Sequence, residues 1–239
     1  MKKIIAVALL AVICLHTQAQ GLKGLINKAK QAIPGATANG LGNDDIAAGL
    51  KEALTIGAEK GSAALSQADG FFANAAIKIL MPPEAKKIEN SLRSIGMGKQ
   101  VDEAILSMNR AAEDACKSAA PIFVNAIKQM SIQDAYGILK GGDTAATGYL
   151  RGKTTNELAA AFRPAIERSL EKVGATKYWS TIITNYNRVS FQKINPDLAA
   201  YVTERALNGI FLQVALEEKN IRENPVARTT DTLKKIFAK

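Results

Sequence analysis

The sequence predicts an all-α fold, a single compact multi-helix domain of roughly eight to ten helices with short connections. Three observations predict it. Apolar residues recur at three- and four-residue spacing through nearly every segment, strand-like alternation is almost absent, and capping residues or Gly and Pro punctuate the stripes at helical lengths. No segment repeats with matching residues at a period of roughly 20–50, which argues against a solenoid.

The chain opens on a different signal. Met1-Lys2-Lys3 is a cationic start, Ile4 to Leu15 is an unbroken apolar run, and Thr17 and Ala19 are small residues where a signal peptidase reads. This is the layout of a secretory leader over residues 1–19, and the run is too short to span a bilayer. Cleavage after Ala19 leaves 220 of the 239 residues, with 29 Lys and Arg against 22 Asp and Glu. It also removes Cys14 and the single histidine, His16. Ile13 stands where a lipid-attachment signal before Cys14 requires a small residue, so the expected product is exported and soluble, periplasmic or associated with the outer envelope.

Residues 20–43 read as a short amphipathic helix, with Leu22, Leu25, Ile26, Ala29 and Ile33 up to Pro34, followed by a Gly/Ala linker. Its lysines, Lys23, Lys28 and Lys30, allow at most a peripheral membrane contact. The helical domain, residues 44–239, begins with Asn43 or Asp44 as a cap and Ile46, Leu50 and Leu54 on one face. Asp69-Gly70 breaks the pattern, and Ile77 to Met81 looks extended because Pro82 and Pro83 push the preceding residues off helix. A helix from Glu84 ends near Gly96 or Gly98. The longest helical signal starts at Val101 and carries Ile105, Met108, Ala112 and Cys116; Pro121 is expected to kink or split it.

Ser131 to Asp134 resembles a capping box, opening a helix that Gly141-Gly142 ends. Asp143 or Thr144 is placed to cap a short successor. Thr154 to Glu157 reads as a second capping box, whose helix lines up Leu158, Phe162, Ile166 and Leu170 and stops at Gly174. A helix over Thr176 to Asn187 follows. Asn195-Pro196 then reads as a cap with Pro in the first turn, ahead of a central helix reaching Glu223 with Leu198, Val202, Ala206, Ile210 and Val214 inward. Pro225 closes it and Thr229 can cap a last short helix.

Composition excludes more than it assigns. A mature chain without histidine has no Ser-His-Asp or Cys-His arrangement, and one thiol makes neither an internal disulfide nor a structural zinc site. Cys116 lies on an apolar stripe and reads as buried. The basic residues are spread along the chain rather than clustered with aromatics, so nucleic acid is not an expected partner. Gly141 to Thr144 offers backbone amides for an anion, with Asp143 expected to occupy them. Tyr136, Tyr149, Phe162, Trp179 and Tyr201 are either an aromatic wall or, more simply, core.

The ordered segments resemble a bacterial family, domain of unknown function 4197, of exported Gram-negative proteins. The resemblance rests on Asp45 to Leu54, Asn109-Arg110-Ala111-Ala112-Glu113, Asp134 through Gly141 to Thr147, Tyr201-Val202-Thr203, Glu217-Glu218 with Ile221-Arg222, and Asn224-Pro225 with Ala227 to Thr230. It covers about Asn43 to Ala238. It implies a helical, exported, soluble or lipid-anchored protein, and no reaction or ligand.

What remains for chemistry is carboxylates, amides, guanidinium groups and hydroxyls. Asn109, Arg110 and Glu113 share one helix face; they line a polar pocket or make a plain surface pair. Glu218 and Arg222 fit an ion pair four residues apart, leaving Glu217 to Arg228. That second set binds a ligand or, preferably, locks the C-terminal tail onto the domain. The candidate ligand-binding residues are thus Asn109, Arg110, Glu113, Glu217, Arg222 and Arg228. No catalytic residue, metal ligand or cofactor is assigned. The favoured function is a non-enzymatic binding or interaction protein of the bacterial envelope, its partner a protein or a small molecule. A carried apolar or amphipathic ligand would sit between helices opened by Pro121 and Pro164. The alternative is a carboxylate-dependent enzyme on envelope glycans, with Glu113 and then Glu218 as the acid.

Overall fold

The computed structural model describes residues 42–191, 193–228 and 230–236. The leader, the 21–33 helix, the Gly/Ala stretch before Gly42 and the Thr229 cap lie outside the described residues. The chain divides into two units, Met1–Ile46 and Ala47–Lys239. Of the first, residues 42–46 are described, Gly42 preceding a helix and residues 43–46 opening it.

The described residues are all-α and contain no strand. The helices are α1 (Asn43–Ser66), α2 (Lys86–Ser94), α3 (Gly98–Cys116), α4 (Ala119–Lys128), α5 (Ile132–Lys140), α6 (Ala145–Lys172), α7 (Ala175–Val189), α8 (Leu198–Glu223) and the six-residue α9 (Asp231–Ile236), with 3-10 turns at Pro83–Ala85 and Pro225–Ala227. Helix α6 is the hub. Helices α3, α4 and α8 pack on it, and α8 also packs on α3, so the expected central helix α8 shares the centre with a longer neighbour. The apolar stripes explain this arrangement: Leu158, Phe162, Ile166 and Leu170 of α6 and Val202, Ala206 and Ile210 of α8 are completely buried. Phe123 of α4 meets Phe211 of α8 edge-on, ring centres 5.8 Å apart.

Between α1 and the 3-10 turn at Pro83–Ala85 the chain runs past α3 and α8 without regular structure. Asp69 takes a left-handed backbone (φ 70°), and Gly70 follows where a Cβ would stand 2.7 Å from the carbonyl oxygens of Ala64 and Leu65. That reversal drives Phe71 into the core against α8, where a Cβ on Gly209 would lie 2.5 Å from the Phe71 ring. Residues 78–82 then run outside any helix, as the two prolines require.

Several local expectations change. Thr154 does not start a helix; it lies in the middle of the 28-residue α6, the longest helix described. Its hydroxyl donates to the Leu150 carbonyl at 2.7 Å and that of Thr155 to Arg151 at 2.6 Å, the back-bonding open to a hydroxyl inside a helix. The split near Pro121 falls earlier, at Lys117-Ser118, which leaves Pro121 in the first turn of α4 where its missing N–H costs nothing. The α8 cap is Asp197, accepting from the Ala200 amide at 2.9 Å, while Asn195 accepts from the Asp197 amide. At α1 the helix already includes Asn43, and Asp45 reaches back to the Gly42 amide. The Ser131–Asp134 capping box is present in both directions.

Candidate functional site

The residues singled out on α3 face the irregular segment 67–82. Asn109 is fully buried and pairs with Ile79 as a neighbouring strand would. The Ile79 amide donates to Asn109 Oδ1 at 2.8 Å, and Asn109 Nδ2 donates to the Ile79 carbonyl at 2.8 Å. The same Nδ2 also reaches the Ile105 carbonyl. One turn further, Glu113 accepts the amides of Phe71 and Phe72 on Oε1 at 3.1 and 3.2 Å. Its Oε2 accepts from Arg110 Nη1 at 2.7 Å, and Arg110 Nη2 reaches Asp69 at the same distance. Both carboxylates raise the Arg110 pKa, Glu113 foremost. Asn109, Arg110 and Glu113 are therefore brought together, as their spacing suggested, and what they hold is the chain's own backbone.

A second buried glutamate repeats the device. Glu218 of α8 accepts the Ala146 amide on Oε1 at 3.0 Å and the Thr147 amide and hydroxyl on Oε2 at 2.9 and 2.8 Å. These amides open α6, whose Thr144 makes no side-chain cap, so the carboxylate satisfies orphan donors at the positive end of the longest helix. The anion expected near Gly141 to Thr144 is thus supplied by α8 rather than by Asp143. Arg222 donates Nε and Nη2 to Glu218 at 3.0 and 2.8 Å and also caps the Ile138 carbonyl of α5. Arg228 is buried and donates to the carbonyls of Ile221 and Arg222, closing the end of α8. Glu217 is not its partner. It lies half-buried one position round the helix and accepts only a 3.3 Å bond from Gln213. Of the second set, Arg222 and Arg228 meet across the end of α8, and Glu217 stays apart.

Beside the Glu113 clamp lies a surface cleft of about 380 Å3 lined by Asp69, Phe72, Ala73, Ala75 and Lys78. Lys78 Nζ sits 3.8 Å from the Phe72 ring centre and the Arg110 guanidinium 5.8 Å from it, so two cations lie against one aromatic ring. Asp69, Phe72 and Lys78 were not singled out from the sequence, where they belong only to a break between helices. By contrast, the gap between Leu50, Leu54, Ala146 and Ile221 amounts to about 10 Å3, no more than one water. Pro164 leaves α6 continuous. Phe162 is core and Trp179 nearly so, in keeping with the simpler aromatic reading.

Among the described residues no group of three or more His, Cys, Asp or Glu is placed to hold a metal ion, and no helix is long and apolar enough to cross a membrane. Cys116 is buried, and that burial, reinforced by the charge of Glu113, pushes its thiol pKa well up.

The model of one family, described as Protein of unknown function (DUF4197), matches residues 40–238. No curated protein and no solved structure matches the chain. The chain belongs to that family.

Proposed function

We propose that this member of the family is an exported, non-enzymatic interaction protein of the bacterial envelope that works through its surface. The observation that carries the reading is the use made of its two buried glutamates. A general acid or nucleophile needs an oxygen within reach of a substrate. Glu113 and Glu218 each spend both oxygens on two backbone amides and a guanidinium, and both are closed off from solvent. The leader at residues 1–19 supports export. The packed interior supports a surface role over a ligand carried between helices. Of the six candidate residues, Arg110 touches Phe72 and Asp69 of the cleft wall and is 41% exposed, Glu217 stays apart, and the other four hold backbone.

Native mass spectrometry of the protein recovered from a bacterial periplasm, beside its denatured mass, tests this directly. A chain beginning at Gln20, bare or with a protein partner, is expected. A discrete small molecule lost on denaturation, or a chain retained in the cytoplasm with residues 1–19 intact, would overturn the proposal. So would release of soluble fragments from cell wall by the unaltered protein, lost in Glu113→Gln.

A further inference from the structure

Helix α7 buries Trp179 and Ile183 against the bundle. At about 100° per residue, Tyr178, Ile182 and Val189 fall on a second stripe, turned away from the first. All three are exposed, Tyr178 at 68% and Val189 at 83% of their surface, and Phe191, just past the helix, is fully exposed. Asn187, near the end of α7, and Ile194, beyond Phe191, are tied to each other. Asn187 Nδ2 donates to the Ile194 carbonyl at 2.7 Å, the Ile194 amide returns to Asn187 Oδ1 at 2.9 Å, and Ile194 itself is buried. Lys193 adds a bond from its amine to the Asn187 carbonyl.

Charge on this element is one-sided. From Lys172 to Pro196 the chain carries Lys172, Lys177, Arg188 and Lys193 and no Asp or Glu. Lys177 and Arg188 lie along one edge of the apolar ridge, roughly a quarter-turn round the helix. An apolar ridge edged with cations on long apolar stems is the composition of a segment that lies in a membrane interface. Half of the ridge is aliphatic. Nucleic acid offers Ile182 and Val189 nothing to bury against, whereas acyl chains do. Taken with the envelope reading, on which the assignment rests, the geometry points to α7 and the loop carrying Phe191 as a docking face for anionic phospholipid, with Phe191, Val189, Ile182 and Tyr178 entering the acyl boundary and Lys177 and Arg188 meeting headgroup phosphates.

Co-sedimentation of the exported protein with phosphatidylglycerol-containing vesicles tests it, with pure phosphatidylcholine vesicles and a single-stranded oligonucleotide alongside. Binding to the anionic vesicles, weakened by salt, is expected. The pair Val189→Ser and Phe191→Ser should weaken it by about tenfold or more, and the pair Lys177→Gln and Arg188→Gln by about tenfold. Both variants should keep the melting temperature and the Trp179 emission, which reports on the buried side of the same helix. The control Val226→Ser, also highly exposed, should bind as the unaltered protein does. Absence of binding, equal binding to neutral vesicles, an equal loss in Val226→Ser, or preference for the oligonucleotide would each overturn the assignment. If vesicles are ignored while a periplasmic protein partner is recovered, this face fails and the interaction reading stands. If the chain never leaves the cytoplasm, the interaction reading fails whatever the vesicles do.

Discussion

Glu218→Gln replaces one oxygen with nitrogen and leaves the volume unchanged, so it isolates the charge and the acceptor count of the second clamp. The oxygen Oε1 serves Ala146, Arg222 Nε and Arg222 Nη2; Oε2 serves the Thr147 amide and hydroxyl. The amide nitrogen of glutamine does least harm at the Oε2 position, where the Thr147 hydroxyl can turn to accept from it. Even so, the Thr147 amide is left without a partner at the start of α6, which costs about 1–3 kcal/mol. Arg222, whose side chain is only 12% exposed, also loses its counter-charge. Breaking a buried pair in this way brings the total to about 3–5 kcal/mol. For a unit of this size that lowers the melting temperature by about 6–20 °C. Glu217→Gln, one residue earlier and bonded only within its own helix, should cost under about 0.5 kcal/mol. Thermal and urea unfolding followed by circular dichroism measure both. Equal shifts in the two variants, or a fall below about 2 °C for Glu218→Gln, would refute the clamp.

Three further outcomes follow from the same geometry. Gly209→Ala adds a methyl 2.5 Å from the Phe71 ring, so denaturant unfolding should show a net loss of about 1–2 kcal/mol despite alanine's better helix propensity; a gain would mean the ring moves freely. Asn109→Leu should cost about 2–3 kcal/mol and speed amide exchange at Ile79 more than in the middle of α3, whereas uniform acceleration along the chain would place the loss elsewhere. Glu89 on α2 is buried, which pushes its carboxyl up, but hydrogen bonds from Lys86 and Arg93 outweigh this and hold it below the ordinary 4.5. Its stabilisation is therefore present above pH 4.5 and is lost as pH falls through the depressed value, so Glu89→Gln should flatten the acid limb of the stability curve. An unchanged slope counts against that pair.

The sequence made the stripes and their ends readable because burial of a helix face leaves a period that needs no partner to be seen. Leu158, Phe162, Ile166 and Leu170 are all buried as their spacing required, and the Ser131–Asp134 box closes locally. Thr154 misled for a physical reason. A threonine three before a glutamate has the same local pattern at a helix start and in a helix middle, and only the fully buried Leu150, Thr154 and Leu158 on one stripe decide it. Within one helix the bonds of the candidate site were legible, as the Arg110–Glu113 and Glu218–Arg222 pairs show; the bonds between elements were not. Glu113 meets Phe71, Glu218 meets Ala146, and Asn109 meets Ile79, pairings set by how distant elements come together, with no local trace in either partner.

Helix α8 has a consequence for the order in which the chain acquires its shape. Phe71 packs at Gly209, Leu80 accepts from the Tyr201 hydroxyl, and the head of α6 is tied to Glu218. All three ties wait for the last quarter of the polypeptide. A ribosome delivering residues from the N-terminus releases most of the chain before any of them can form, and early helices have only partial apolar partners until then. These ties therefore close last: the segment 67–82 and the head of α6 gain their α8 partners only near the end of synthesis.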